Sequence, residues 1–156
     1  FLGSGVKTLY TSIYCPTAWA KLTEMKPGDR ATLTIPKSDE YTDDVVVKGD
    51  YVKKGKILGF AGEESGEGVL FRADNVDIVF ASVRTSFTMK EHFAAMGVTA
   101  ADYEAVVVKQ GYLWPGAAEL AASQIFCMTP GTATNDFSTL TFRNLAGDYY
   151  YVRPEF

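Results

Sequence analysis

The residues equipped for chemistry are few and widely spaced. The chain holds one histidine, His92, and two cysteines, Cys15 and Cys127. A Ser-His-Asp site or a His-rich metal site has almost nothing to be assembled from. Two cysteines this far apart make no disulfide framework, so the expectation is reduced thiols in a cytosolic setting. A metal held by the pair would need two more ligands, and only His92 and carboxylates are on offer. His92 lies in a helical stretch with no second histidine at ligand spacing. It reads as a structural side chain, at the surface or half-buried, rather than a ligand or general base. Asp43-Asp44 and Glu63-Glu64 read as solvated turns, because a calcium loop needs alternating oxygen ligands closed by a bidentate Glu.

What is left is a set of cations and hydroxyls placed just beyond apolar runs. Ser82, Arg84 and Thr85 follow Val76 to Ala81. Lys109, Gln110 and Gly111 close the run that begins at Ala105. Thr129, Gly131, Thr132 and Thr134 follow Ile125 to Met128. Gathered together, one guanidinium, one ammonium, several hydroxyls and flexible backbone N–H groups would form a donor-rich rim. Such a rim suits a carboxylate, a peptide carbonyl or a phosphate. The competing reading is that Arg84 and Lys109 are exposed strand ends paired with local carboxylates, and the residue pattern alone leaves both open.

The elements that would gather these groups follow from periodicity. Leu9 to Tyr14 is a Tyr/Ile/Thr strand, and Pro16 opens a helix whose Ala18, Trp19 and Leu22 recur at helical spacing. Pro27-Gly28-Asp29 ends it, and Ala31 to Ile35 alternates as a second strand. Val76 to Ala81 is a nearly continuous apolar run, as expected of a strand covered on both faces. Thr88 and Glu91 stand at capping-box spacing ahead of Phe93 and Met96, and Gly97 closes that helix. A short turn runs from Thr99 through Tyr103. Ala105 to Lys109 is a further strand, Pro115 starts a helix through Ala122, and Ile125 to Met128 is a last strand. This alternation predicts an α/β fold with a mostly parallel sheet and flanking helices, and ligands in such sheets bind beyond the carboxyl ends of the strands. After Thr129-Pro130-Gly131 the sequence turns loop-like and ends in Tyr149-Tyr150-Tyr151-Val152, an edge strand or packed extension.

The middle of the chain differs. Six of the 14 glycines fall between Gly49 and Gly68. Val45 to Val47, Tyr51-Val52, Ile57 to Phe60 and Val69 to Phe71 are short β-type runs between turn residues. They predict a Gly-rich antiparallel excursion, a β-rich insertion over about 36–72 within a single domain spanning 1–156. The Val47 to Leu58 rhythm is close to that of biotinyl and lipoyl carriers, but no lysine follows at a hairpin tip. No Gly-Lys-Ser/Thr follows the glycines, so there is no P-loop.

Composition bounds the rest. The 156 residues, 47% hydrophobic and 22% charged, are those of one globular domain with a core. A net charge of −4 with no Lys/Arg cluster argues against nucleic acid. No apolar run approaches the roughly 20 residues that cross a bilayer. The first residue is Phe1, and Phe1-Leu2-Gly3-Ser4-Gly5 is too short for a signal peptide. The expectation is a fragment or processed chain of a longer polypeptide.

Several of these segments, taken in order, resemble one family. Val76-Asp77-Ile78-Val79-Phe80-Ala81-Ser82-Val83-Arg84-Thr85, the Phe93 to Gly97 helix end, Ala101-Asp102-Tyr103, Val106-Val107-Val108-Lys109 and Thr129-Pro130-Gly131-Thr132 are similar to the C-terminal domain of MlrC-type, microcystinase C-like metallopeptidases. The opening Leu9 to Pro16 is similar to an early strand-turn of that domain. The resemblance covers most of the chain and is strongest from Gly68 to Leu145. It implies zinc-dependent hydrolysis of small or cyclic peptides. The zinc ligands would lie in an N-terminal metal-binding domain of the same polypeptide, so no metal ligand or catalytic residue carries over to this chain. What carries over is a substrate-binding set, Arg84, Lys109, Gly131 and Thr132, facing an inter-domain cleft. Cys15 stands where the family commonly has an acidic residue, Val83 where a basic one is frequent, and Gln110 to Trp114 where the pattern is more polar. These departures bear on which peptide is taken. A non-catalytic module for an anionic small molecule or peptide is the alternative reading. A homo-oligomerising domain with the aromatic tail as its contact is a third.

Overall fold

The computed structural model describes residues 1–37, 42–110 and 114–127. Its centre is one six-stranded sheet. The strands are β1 (Thr8–Ile13), β2 (Arg30–Ile35), β3 (Val45–Leu58), β4 (Glu64–Ala73), β5 (Val76–Ala81) and β6 (Ala105–Val108), in spatial order β2-β3-β4-β5-β1-β6. β1 runs parallel to both neighbours, with Thr8 opposite Val76 on one side and Ala105 on the other. The pairings β2–β3, β3–β4 and β4–β5 are antiparallel. The class is therefore α/β, but the sheet is mixed, and the expected mostly parallel sheet is corrected. The reason lies in the Gly-rich stretch. Its β-type runs join the main sheet as an antiparallel meander, because β3 is one long strand rather than three short ones.

Gly55 within β3 looks like a turn signal in sequence but serves packing, and Lys54 and Lys56 pair with Glu67 and Glu64 of β4. Gly55 sits opposite Gly68 on β4. A Cβ on Gly55 would lie 2.8 Å from the Met96 Cα, and one on Gly68 would lie 2.6 Å from the Met96 Sδ. The glycine pair lets the helix α2 (Lys90–Ala95) seat its C-cap, Met96, directly on the sheet. Gly97, at φ +65°, then reverses the chain in the left-handed region.

Helices cover both faces. α1 (Pro16–Thr23) buries Ala18 and Leu22 with Leu33, Val47, Phe71, Ile78 and Phe80. On the other face Phe93 and Met96 pack with Leu9, Ile57, Leu70, Val79 and Phe87. Alternation along β5 splits its side chains between these two cores, so every residue of the strand is buried.

Three smaller expectations change. α2 starts at Lys90 with Met89 at the N-cap. The Thr88 N–H is received by His92 Nδ1 at 2.8 Å, in place of a Thr88–Glu91 box. α3 spans only Pro115–Ala118. Residues 125–127 form no strand, and Ile125 and Phe126 are 87% and 58% exposed. Apolar side chains alone do not make a strand where no neighbouring edge pairs with them. The Tyr149 to Val152 tail lies outside the described residues.

Candidate functional site

β1 is where the connections of the sheet diverge. The chain leaves β1 through α1 on one face and returns by the meander to β5. It then leaves β5 through α2 on the opposite face and reaches β6. Neighbouring strands reached on opposite faces open a crevice at the carboxyl end of the strand between them. Tyr14, the segment 82–86 and Lys109-Gln110 stand at that end.

Hydroxyls fix this end rather than lining it. Ser12 Oγ donates to the Thr85 carbonyl at 2.7 Å, and Thr85 Oγ1 donates to the Leu58 carbonyl at 3.0 Å. Ser82 Oγ accepts the Glu67 N–H at 2.9 Å, and Ser86 Oγ donates to the Lys109 carbonyl at 3.3 Å. The loop after β5 is thereby bonded to β1, to the end of β3, to β4 and to the end of β6. Ser82 and Thr85, expected as ligand donors, are engaged in this stitching.

The two cations remain open. Arg84 is exposed and lies over the Tyr14 ring, its Cζ 5.1 Å from the centroid. Tyr14 gives the guanidinium a shelf without neutralising it, so the charge stays available. Lys109 is exposed at the end of β6. Among the described residues neither cation forms an ion pair; those present are Arg30–Asp50, Lys54–Glu67, Lys56–Glu64 and Arg72–Asp77. The expected alternative, strand-end cations paired with local carboxylates, has no partners among these residues. Gly131 and Thr132, with Thr129 and Thr134, lie outside the described residues, as does Gly111.

Two further features belong to this end. The Gln110 Nε2 donates to the Phe87 carbonyl at 3.4 Å, while its Oε1 is buried with no hydrogen-bond partner among the described residues. Phe60, after β3, meets Trp114 edge-to-face at 4.6 Å and remains 61% exposed. An apolar wall thus stands at the same end as the two cations. Tyr14 was not among the sequence candidates; its signal was its place as the first residue beyond a central strand.

His92 is no ligand. It is fully buried, not at the surface or half-buried as expected. Its Nδ1 accepts the Thr88 N–H, and its Nε2 donates to the Gly59 carbonyl at 3.0 Å. Both nitrogens are used: Nδ1 holds the start of α2, and Nε2 ties the helix to the β3–β4 turn. Among the described residues no group of three or more His, Cys, Asp or Glu side chains could hold a metal ion. These residues do not fit the zinc that the resemblance implies.

The opposite end of β5 carries a different cluster, hidden in sequence because Asp77 sits inside an apolar run. Asp77 is buried and accepts Arg72 Nε at 2.7 Å, Arg72 Nη2 at 2.8 Å and the Tyr103 hydroxyl at 2.7 Å. Burial, then the hydrogen bond to Asp77, pushes the Tyr103 hydroxyl well above the usual phenol range. The same carboxylate raises Arg72. Asp74 at φ 55°, with Asn75, turns β4 into β5 and sets Arg72 opposite Asp77.

Comparison with known proteins supplies the family. The family model described as "MlrC C-terminus" matches residues 2–144. A crystal structure described as "Putative metallopeptidase from MESORHIZOBIUM SP. BNC1" superposes with a TM-score of 0.70 at 18% identity. The match covers 83% of this chain but 28% of that one, so the chain spans little more than a quarter of the neighbour's length. At that identity the likeness establishes the fold. No curated protein sequence matches the chain.

Proposed function

Because the chain belongs to the MlrC C-terminus family, we propose that it is the substrate-binding portion of a zinc-dependent, peptidase-type hydrolase working in the cytosol. The neighbour described as a metallopeptidase supports this reading. In it, Arg84 and Lys109, with Gly131 and Thr132, face a cleft completed by an N-terminal metal-binding domain of the same polypeptide. The carrying observation is the parallel run of β5, β1 and β6, which brings Arg84 and Lys109 to one end of the sheet with no carboxylate partner among the described residues. A peptide-like substrate suits that end. Its carboxylate or carbonyl oxygens would take charge-assisted hydrogen bonds from Arg84 and Lys109, and its apolar side chains would lie on Phe60 and Trp114. The residues of this chain bind and orient; no step of metal chemistry is assigned to them.

Zinc titration tests the division of labour. The 156-residue chain is expected to bind no stoichiometric zinc and to hydrolyse no peptide, while a longer parent protein does both. Tight, stoichiometric zinc binding by the chain at neutral pH would overturn the reading.

A further inference from the structure

We propose that the exposed edge of β2 is a second, separate binding site, for a small multiply charged anion. A cavity of about 520 Å³ opens there, bordered by Lys21 and Met25 of α1, by Asp29, Arg30 and Thr32, and by Lys48 of β3. It lies at the opposite edge of the sheet from β6 and shares no residue with the Arg84–Lys109 rim. On a chain of net charge −4, three cations, Lys21, Arg30 and Lys48, border one cavity.

The backbone decides what kind of ligand fits. In an antiparallel ladder the N–H and C=O of one residue point to the same side. The Thr32 carbonyl points outward, since it accepts the Lys21 Nζ at 2.9 Å. The Thr32 N–H therefore points out from the edge as well. The Thr34 carbonyl, also outward, faces the Cys15 Sγ at 3.8 Å. A docking strand needs donors and acceptors in alternation, and here the Thr32 and Thr34 carbonyls are already covered. At Thr32 the edge still offers an N–H donor, and a backbone donor beside cations is a setting for an anion.

The side chains agree. Thr32 pairs across the ladder with Lys48, so both stand on the same side of the sheet. Lys48 forms no ion pair among the described residues. Arg30 meets Asp50 through Nε at 3.3 Å, with both side chains about half exposed or more, and keeps its remaining N–H groups open. The one lining carboxylate, Asp29, is turned to the Lys26 N–H at 2.9 Å. Two or three cations plus a backbone donor favour a ligand with more than one negative charge, a phosphate-bearing or polycarboxylate molecule.

The test is an amide-resolved NMR titration of the 156-residue chain at low salt, with inorganic pyrophosphate and, separately, citrate. Saturable shifts at Thr32 and Lys48 are expected with at least one probe. They should weaken at least tenfold in an Arg30→Gln, Lys48→Gln double variant, whose exposed side chains leave the core untouched. Preference for pyrophosphate identifies a phosphate ligand, and preference for citrate a carboxylate one. The proposal is overturned if neither probe saturates, or if both bind the double variant as well as the original chain. It is also overturned if an acidic extended peptide binds more tightly than either and protects the Thr32 amide from exchange. Loss of the zinc-hydrolase reading would leave this result untouched, and the reverse holds too.

Discussion

The two ends of the β5–β1–β6 layer handle charge in opposite ways. At the amino end Asp77 is buried and saturated, with three hydrogen bonds from Arg72 and Tyr103. At the carboxyl end Arg84 and Lys109 stand exposed, and the hydroxyls around them bond to backbone instead. A charge whose partners are all inside the fold serves the fold, because its removal strands those partners. A charge left open at a rigidly stitched end costs little to keep and is free for a ligand. The difference separates polar groups that the fold consumes from those it leaves open, and the proposed reading gives the open ones to a ligand.

Breaking the amino end should have the largest effect on stability. Asp77→Ala leaves the Tyr103 hydroxyl and the Arg72 guanidinium unpaired. Arg72 is half exposed and regains water, so the loss should fall below that of a fully buried pair, at about 2–4 kcal/mol. Urea unfolding checks it, and a loss under about 0.5 kcal/mol would place Asp77 with the neutral surface charges.

Tyr103→Phe is gentler, at about 1 kcal/mol, and carries a pH signature. The folded state holds the Tyr103 proton more tightly than the unfolded chain does. Its contribution is therefore complete below the unfolded phenol value, near 10, and fades as pH rises above it. The original chain should lose stability across this alkaline window faster than the Phe variant. Parallel curves would remove Tyr103 from the cluster's energetics.

The carboxyl end should be nearly silent in the same assay. Lys109→Ala is expected to change stability by under about 0.5 kcal/mol. Arg84→Ala should cost somewhat more, up to about 1 kcal/mol, through its contact with Tyr14. A drop comparable to that of Asp77→Ala would mean that these cations are structural after all.

Sequence made the two ends unequally legible. Strand-end logic picked out Arg84 and Lys109 because apolar runs mark where strands stop. The parallel pairing that unites them follows from the intervening helices α1 and α2. The meander was harder to place, since Gly49, Gly55 and Lys53-Lys54 carry turn chemistry locally. The real constraints, the approach of Met96 to Gly55 and Gly68 and of Arg72 and Phe71 to Gly49, come from residues distant in sequence. Asp77 escaped notice for a similar reason. Its partners come from the preceding strand and from the turn before β6, and a lone Asp among Val and Ile gives no local sign of them. His92 read correctly as structural, yet its bond to Gly59 was invisible because it spans a contact between distant segments.

The central claim is that Arg84 and Lys109 serve a ligand and not the fold. The most direct test is the peptide kinetics of an Arg84→Ala, Lys109→Ala double variant in the longer, zinc-loaded parent protein. The account predicts a KM raised by about tenfold or more with kcat largely kept, the mark of lost substrate binding. An unchanged KM in a folded, zinc-loaded variant would contradict it.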